Sequence, residues 1–313
     1  MQPMPEDWDR AVAVVAHPDD LEYGVASAVA RWTRQGKQVS YLLVTRGEAG
    51  IAGMAPDQVG PLRVEEERRS AAIVGVSDVE FLDHPDGLVE YGLGLRRDLT
   101  AALRRVNPQV IIGQSFDLTW GEDGPVNHAD HRAVGLATLD ACRDAANGWV
   151  FPEAGPPCTD IRDAYVSGLG SPTHFVDVTD TIDAGVASLR EHRAYIEGLG
   201  REFDPDEFLK NMAGYVGLGA GCEYAVAFHR YPMSLAWLTW DLGLLDGLGL
   251  LDYGGDLGVE GRGGRQAVVH GEVRRGRLCG KPHAGAEPGE VLQLVLIAHE
   301  AAGGEAVAQG GLV

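Results

Sequence analysis

Residues 11–20 read AVAVVAHPDD. Six apolar residues in succession are typical of a short strand that is buried on both faces, as in the parallel sheets of α/β proteins. The run ends in a histidine, a proline and two adjacent acidic residues. Carboxylates are rarely buried without a partner, so we expect a compensating positive charge at this strand end, from a helix N-terminus or a metal ion.

Strand-like and helix-like segments alternate through most of the chain. Short apolar runs predict strands over residues 11–16, 39–45, 79–83, 109–114, 164–168, 174–180 and 223–230. Apolar residues at helical spacing predict helices over residues 22–36, 62–76, 95–108, 128–146, 181–196 and 206–217. Such alternation is typical of crossover units, so the expected fold class is α/β: a Rossmann-like, mostly parallel sheet flanked by helices.

The composition of the chain changes near residue 233. Beyond it the sequence is rich in glycine and leucine without a clear period, as in WLTWDLGLLDGLGLLDYGG over residues 237–255. Weak patterning of this kind is typical of a poorly ordered extension or a small appended unit. We therefore expect one main domain over residues 1–232 and a Gly-rich C-terminal extension over residues 233–313.

Charge and motif content exclude several classes of function. The formal net charge of −20 disfavours binding to nucleic acid or to an anionic membrane. The four cysteines form no CxxC pair, which argues against a thiolate zinc site or a disulfide framework. The sequence shows neither a signal-peptide pattern nor an apolar stretch long enough to span a bilayer. We expect a cytoplasmic protein; the sequence carries no signal for its oligomeric state.

The HPDD stretch follows the first predicted strand, at the sheet edge where ligands bind in open parallel sheets. His17 and Asp20 are three residues apart across a tight turn, so an imidazole nitrogen and a carboxylate oxygen can converge on one point. Zinc accepts that pair and needs at least one more protein ligand. The alternative is purely structural, because Asp19 and Glu22 have the spacing of a variant capping box.

A second polar cluster, NHADH over residues 127–131, lies after the strand that is predicted to end near Gln114. His128 and His131 are again three residues apart, at the start of a helix. By itself this stretch could be a polar helix cap with two surface histidines. Two His/Asp clusters that each follow a strand of one parallel sheet favour a shared metal site.

Together the two clusters resemble the PIG-L/LmbE-like deacetylases. This family includes the N-acetylglucosaminyl-phosphatidylinositol de-N-acetylases and the deacetylases of mycothiol and bacillithiol synthesis. The AHPDD and HADH stretches carry the resemblance, which extends over roughly residues 11–230. Supporting matches are TRGEAG (45–50), Arg63 with Glu66, and PDGL (85–88). Ala129 stands where many members have proline.

The resemblance implies the roles of the site residues. His17, Asp20 and His131 would bind the metal, with zinc expected and Fe²⁺ as an alternative. Two imidazoles and one carboxylate leave a position for water, as in catalytic zinc sites. Asp19 matches the general base of the family, which would take a proton from that water and later protonate the leaving amine.

Four further residues receive expected roles. His128 would stabilise the oxyanion. Asp130 would hold the His128 ring and favour its protonated form, or would cap the following helix, or both. Arg63 and Asp86 would contact substrate hydroxyls at the rim of the cleft; the alternative is an ordinary surface pair or a turn residue.

The function expected from the resemblance is a metal-dependent hydrolase that removes acetyl from an N-acetyl-amino sugar, a small molecule. Two alternatives remain open: an amidase that acts on larger thiol-sugar conjugates, and a non-catalytic metal-dependent sugar-binding protein. Asp19 argues against the second, because binding alone needs no base beside the metal. A dinucleotide-binding enzyme is disfavoured, because no GxGxxG follows the first strand.

Overall fold

The computed structural model describes residues 1–121, 123–200 and 202–233. The strands are β1 (Gln2–Pro3), β2 (Arg10–Val15), β3 (Gln38–Leu43), β4 (Val79–Phe81), β5 (Val110–Gln114), β6 (Asp163–Ser167), β7 (His174–Asp177) and β8 (Ala225–Pro232). The helices are α1 (Asp20–Gly24), α2 (Ala26–Arg34), α3 (Pro56–Ile73), α4 (Leu93–Val106), α5 (Ala129–Ala146), α6 (Ile182–Leu189), α7 (Arg193–Gly198) and α8 (Pro205–Ala220).

These strands form one sheet in the order β1-β7-β8-β6-β5-β2-β3-β4. Neighbours are parallel except that β8 runs antiparallel to both β6 and β7. The chain moves outward from β2 through β3 to β4 and then returns to β5 on the other side of β2. The sheet therefore has a topological switch point between β2 and β5, and the predicted α/β class is confirmed.

β2 is buried on both faces because each face of the sheet carries its own apolar cluster. Ala11, Ala13 and Val15 belong to the cluster that contains residues of α2, α6 and α8. Val12 and Val14 belong to the opposite cluster, which contains residues of α4 and α5. Side chains alternate between the faces of a strand, so an uninterrupted apolar run is what a central strand of a three-layer fold requires.

Two predicted helices are divided in the structure. The predicted helix over residues 22–36 begins earlier, at Asp20, and breaks into α1 and α2 at Val25, beside the weak helix former Gly24. The predicted helix over residues 181–196 becomes α6 and α7, and His192 between them is fully buried. For the first of these breaks helical periodicity gives no signal, since α1 and α2 both bury residues in the same apolar cluster.

Two sequence-based expectations stay predictions: the C-terminal extension and the cytoplasmic location. Apart from Met233, the C-terminal extension of residues 233–313 lies outside the described residues, so the domain boundary and the order of the extension stay predictions. Among the described residues, no helix has the length and apolarity to cross a membrane. The cytoplasmic location stays a prediction.

Close packing between α2 and α6 provides a test of the fold. A Cβ at Gly185 would lie 2.0 Å from Ser27 Oγ and 3.0 Å from the Ser27 backbone nitrogen. We expect Gly185→Ala to lower the free energy of unfolding by about 1–3 kcal/mol, since an overpacked contact forces the helices apart. The measurement is urea denaturation followed by circular dichroism.

The matched control is Gly94→Ala in α4, where an added Cβ would meet nothing within 4 Å. This change should raise stability by roughly 0.5–1 kcal/mol, because alanine is the better helix former. Equal stability of the two variants would contradict the packing of α2 on α6.

Candidate metal centre and reaction site

The pairing of β2 with β5 brings the two polar clusters together. The strands are adjacent and parallel, with Ala11 opposite Val110 and Val14 opposite Gly113. Their carboxyl ends therefore lie side by side, and each is followed by a loop that leads into a helix. His17 follows β2, and His131 lies in the first turn of α5.

The three predicted ligand side chains converge at this edge. His17 Nδ1 lies 3.2 Å from His131 Nε2, Asp20 Oδ1 lies 3.1 Å from His131 Nε2, and Asp20 Oδ2 lies 3.5 Å from His17 Nδ1. Ligands at 2.0–2.1 Å from a tetrahedral zinc ion are about 3.3–3.4 Å apart. The three predicted ligands thus form a triangle of the size that one zinc-like ion requires.

The outer nitrogens of both imidazoles are held by protein groups. His17 Nε2 lies 2.9 Å from Asp86 Oδ1 and 3.2 Å from Asp130 Oδ2. His131 Nδ1 lies 2.9 Å from Asn127 Oδ1. These oxygens accept the N–H of each ring, so that the lone pairs of His17 Nδ1 and His131 Nε2 point to the triangle.

The two carboxylates behind His17 are held in turn by backbone amides. Gly87 N–H donates to Asp130 Oδ2 at 2.7 Å, and Ala49 N–H donates to Asp86 Oδ2 at 2.8 Å. His17, Asp86 and Asp130 are also close enough together to hold a cation. The carboxylates of Asp86 and Asp130 can accept the N–H of His17 Nε2, which leaves His17 Nδ1, beside His131 and Asp20, as the position for a metal.

Charge in the site favours a bound cation. Burial lowers the pKa of His17, but the carboxylates of Asp130, Asp20 and Asp86 outweigh it and raise this pKa well above its usual value. Burial alone would raise the pKa of Asp20, but the charges and hydrogen bonds of His131 and His17 lower it strongly. Three carboxylates around one imidazole supply the negative charge that a divalent ion would neutralise.

Asp130 contacts a different histidine from the one expected. Its carboxylate faces His17 Nε2, whereas its backbone N–H donates to His128 Nδ1 at 3.3 Å. His128 is therefore the N-cap of α5, so the expectation that Asp130 caps the helix is wrong, and Asp130 contacts the His128 ring through its backbone N–H rather than through its carboxylate. Spacing of two residues suggested the His128 contact; the long-range contact with His17 prevails because Asp130 is fully buried beneath that ring.

His128 lies on the open side of the site. Its ring centroid is 5.0 Å from that of His17 and 5.4 Å from that of His131, and the residue is exposed. Burial of part of the ring and the charge of His17 lower the pKa of His128. The charge of Asp130 raises this pKa, in the expected direction, but burial and the charge of His17 outweigh it. One nitrogen of His128 also lies close enough to His17 and His131 to belong to a possible metal group.

Asp19 occupies a conformation that is unusual for a residue with a side chain. Its φ of 87° lies in the left-handed region, and its side chain makes no capping hydrogen bond to α1, so the capping-box alternative is wrong. Arg63 Nη2 donates to Asp19 Oδ2 at 2.8 Å. Burial raises the pKa of Asp19 to about 6, against the opposing charge of Arg63.

Arg63 and Asp86 form part of the frame behind the site. The side chain of Arg63 is 3% exposed, donates to the Pro18 and Gly47 carbonyls, and stacks on the Tyr195 ring at 4.4 Å. The Asp86 side chain is 6% exposed and faces His17. This corrects the expectation that both residues lie at the rim of the cleft. The sequence does not distinguish a charged residue that faces solvent from one that is buried against another loop.

Trp120 is a site neighbour that the sequence analysis missed. Its ring lies nearly perpendicular to that of His131, with centroids 5.8 Å apart, and it is 44% exposed. A short hairpin carries it, closed by a bridge between Thr119 and Val126. The sequence does show an aromatic residue in the polar segment before NHADH, which could have indicated a site neighbour. That its ring lies beside His131 is known only from the structure.

Comparisons with known proteins identify a family and relatives that this sequence is similar to. A family model described as PIG-L: GlcNAc-PI de-N-acetylase matches residues 12–142. A diacetylchitobiose deacetylase from Thermococcus kodakarensis is 26% identical, over 72% of this chain and 84% of its own length. A 1D-myo-inositol 2-acetamido-2-deoxy-alpha-D-glucopyranoside deacetylase from Kineococcus radiotolerans is 28% identical, over 60% of this chain and 69% of its own.

A solved structure shares the fold. The N,N'-diacetylchitobiose deacetylase from Pyrococcus horikoshii superimposes with a TM-score of 0.65 at 23% sequence identity, over 73% of this chain and 85% of that chain. The family resemblance that the AHPDD and HADH stretches indicated is confirmed.

Contacts behind the metal ligands lead to a binding prediction. Asp130→Asn removes the charge that supports His17 while keeping a similar shape. We expect the affinity for Zn²⁺, measured by calorimetric titration, to fall about 10–100-fold, since groups that orient a ligating histidine contribute that much.

The control is Asp140→Asn, which removes a half-exposed carboxylate from the same helix and should leave the Zn²⁺ affinity unchanged. Wild-type affinity in a folded Asp130→Asn variant would show that this carboxylate does not support the metal position.

Proposed function

We propose that this chain, whose residues 12–142 match the family model described as PIG-L: GlcNAc-PI de-N-acetylase, is a metal-dependent hydrolase that removes the acetyl group from an N-acetyl-amino sugar. One observation carries the proposal: the triangle of His17 Nδ1, His131 Nε2 and the Asp20 carboxylate. Asp19, which precedes Asp20 in the chain, has a buried carboxylate. It supplies the general base that hydrolysis needs in addition to a metal.

Zinc is the metal that the ligand set favours, with Fe²⁺ as the alternative. Two imidazoles and one carboxylate are a common protein set for catalytic zinc and keep a fourth position open. When bound, the ion supplies polarisation of the amide carbonyl and lowers the pKa of water at that position. Asp130 and Asn127 keep His17 and His131 in the tautomers that present Nδ1 and Nε2, respectively.

Asp19 is proposed as the general base. Because Arg63 binds Asp19 Oδ2, we assign the proton transfer from the attacking water to Oδ1. The same oxygen then returns the proton to the leaving amine, so that the base and acid steps use one group. A carboxyl whose pKa is raised to about 6 is well matched to both steps near neutral pH.

His128 is proposed to donate a hydrogen bond to the oxyanion that develops on the amide oxygen. Its Nδ1 accepts the backbone N–H of Asp130, so the proton of the neutral ring resides on Nε2. The lowered pKa of His128 favours this neutral form. A fixed donor on the open side of the site stabilises charge as it develops, without reorganisation.

The substrate class follows from the relatives and from the site. Both curated relatives described above are named as deacetylases of N-acetylated glucosamine derivatives. The exposed face of Trp120 beside His131 gives the apolar face of a sugar ring a surface to pack on. We therefore propose a small-molecule N-acetylglucosaminide as the substrate.

Two alternative functions use the same residues differently. An amidase for larger thiol-sugar conjugates would need the same metal ligands and the same base, and would differ in which acyl group is released. A sugar-binding protein without activity would need neither the burial of Asp19 nor its proton transfer. The raised pKa of Asp19 favours an enzyme over a binding protein.

Substitution of the base tests the proposal directly. We expect Asp19→Asn to lower the rate of acetate release from N-acetylglucosamine, N,N'-diacetylchitobiose or p-nitrophenyl N-acetylglucosaminide by at least about 100-fold, because the attacking water loses its proton acceptor. Zinc content should stay at the wild-type level, and a chelator should abolish the wild-type rate.

Asp57→Asn, at an exposed position in the first turn of α3, is the control and should be as active as wild type. An unchanged rate in Asp19→Asn would refute the assignment of the base. Zinc and sugar binding by the wild type without any acetate release would favour the sugar-binding alternative.

The aromatic residue beside His131 provides a second test. We expect Trp120→Ala to raise KM for N,N'-diacetylchitobiose about tenfold with a smaller change in kcat, because it removes packing that substrate and transition state share. Steady-state kinetics measures both constants.

Trp149→Ala is the matched control, since Trp149 is 93% exposed and follows the far end of α5. That helix has 18 residues and is about 27 Å long. A tenfold rise of KM in both variants, or in neither, would contradict the proposed role of Trp120.

A further inference from the structure

Three ionisable side chains form a fully buried cluster next to the proposed site. Glu22, Glu67 and His192 each have 0% exposed side chains. His192 Nε2 lies 3.5 Å from Glu22 Oε2 and 3.7 Å from Glu67 Oε2. Burial of charged groups is costly unless they are paired, so this cluster calls for an explanation.

The cluster joins three separate elements. Glu22 lies on α1, Glu67 lies on α3, and His192 lies between α6 and α7. Ser70 and Ser188 donate to Glu22 Oε1 at 2.7 and 3.4 Å, respectively. The cluster therefore ties the turn that carries the proposed metal ligands to α3 and to the connection between α6 and α7.

Glu67 also contacts the proposed base. The backbone N–H of Asp19 donates to Glu67 Oε2 at 3.2 Å. Asp19 is the residue with φ of 87°, and a left-handed conformation of a residue with a side chain persists only where surrounding contacts hold it. The Arg63 bond holds the Asp19 carboxylate, whereas the Glu67 bond holds the Asp19 backbone.

We propose that Glu67, supported by His192 and Glu22, is a positioning residue that fixes the backbone of Asp19 and thereby aims its carboxylate. This role rests on the proposed function of Asp19 as the base. Glu67 itself does not touch substrate in this role. The contact that matters is the hydrogen bond from the Asp19 amide to a carboxyl oxygen.

The surroundings of Glu67 indicate that the acceptor oxygen matters more than the charge. Burial and the neighbouring Glu22 raise the pKa of Glu67 well above its usual value, although the charge of His192 opposes this rise. A protonated carboxyl presents one carbonyl oxygen to the Asp19 amide, and the amide of glutamine does the same. Glutamine should therefore replace Glu67, and methionine, which has similar length but no oxygen, should not.

The first experiment compares Glu67→Met, Glu67→Gln and the wild type in acetate release from N,N'-diacetylchitobiose. We expect Glu67→Met to lower kcat about 10–100-fold with little change in KM or zinc content, since a small displacement of a catalytic group costs this much. Glu67→Gln should stay within about threefold of the wild-type kcat, as the conservative variant restores the acceptor.

Glu66→Met is the matched control. Glu66 is a buried carboxylate on the same helix whose Oε1 accepts the Ala194 N–H at 2.7 Å, so its loss removes a comparable hydrogen bond away from Asp19. Its kcat should stay near the wild-type value. Equal losses of kcat in Glu66→Met and Glu67→Met, or in Glu67→Gln and Glu67→Met, would overturn the proposal.

Hydrogen exchange of the Asp19 amide, measured by NMR, tests the contact without any activity. We expect slow exchange in the wild type and in Glu67→Gln, and exchange at least tenfold faster in Glu67→Met. Fast exchange in the wild type would overturn the proposal even if Glu67→Met fails to fold. If the wild type releases no acetate, the proposed function fails, while this measurement still decides whether Glu67 holds the Asp19 backbone.

Glu22, Glu67 and His192 are also close enough to one another to hold a cation. The number of zinc ions bound per chain distinguishes a metal site in this cluster from the proposed positioning role of Glu67. We expect the wild type and Glu67→Met to bind the same number of zinc ions. Loss of one zinc equivalent in Glu67→Met, with the remaining site intact, would assign the cluster a metal and overturn the proposal.

Discussion

The parallel pairing of β2 with β5 is the constraint on which the rest of the site depends. It sets the carboxyl ends of two strands side by side at the switch point of the sheet. His17 and His131 are 114 residues apart in the chain, and they meet because each follows one of these strands. Without that pairing, HPDD and HADH would be two unrelated polar turns.

Successive layers of contacts then hold the ligand atoms in place. Asp130 orients the His17 ring, and the amide of Gly87 holds Asp130. Arg63 holds the carboxylate of Asp19, and Glu67 accepts its backbone N–H. Almost every charge in these layers is buried and meets an opposite charge or a hydrogen bond. A site built in this way keeps its geometry without help from substrate, which is what electrostatic stabilisation of a transition state requires.

Local contacts and long-range contacts compete for the same side chains, and the outcome explains where the sequence analysis failed. The Asp130 carboxylate was expected to hold the His128 ring, two residues away, yet it contacts the ring of His17, which follows a different strand. Arg63 was expected at the rim, yet it lies beneath the site, on Asp19. In both cases burial decides: a carboxylate or guanidinium that loses water takes the strongest partner within reach, however distant in sequence.

The amino-acid sequence by itself determined the α/β class, the central strand and the two His/Asp clusters, because apolar periodicity and short-range spacing are local properties. The resemblance carried by AHPDD and HADH then indicated the roles of His17, Asp20, His131 and Asp19. Only the tertiary structure decided that Asp130 and Asp86 support His17, that Trp120 faces His131, and that Glu67 holds the Asp19 backbone. Those partners come from separate loops and helices, and their meeting depends on how the layers pack on the sheet.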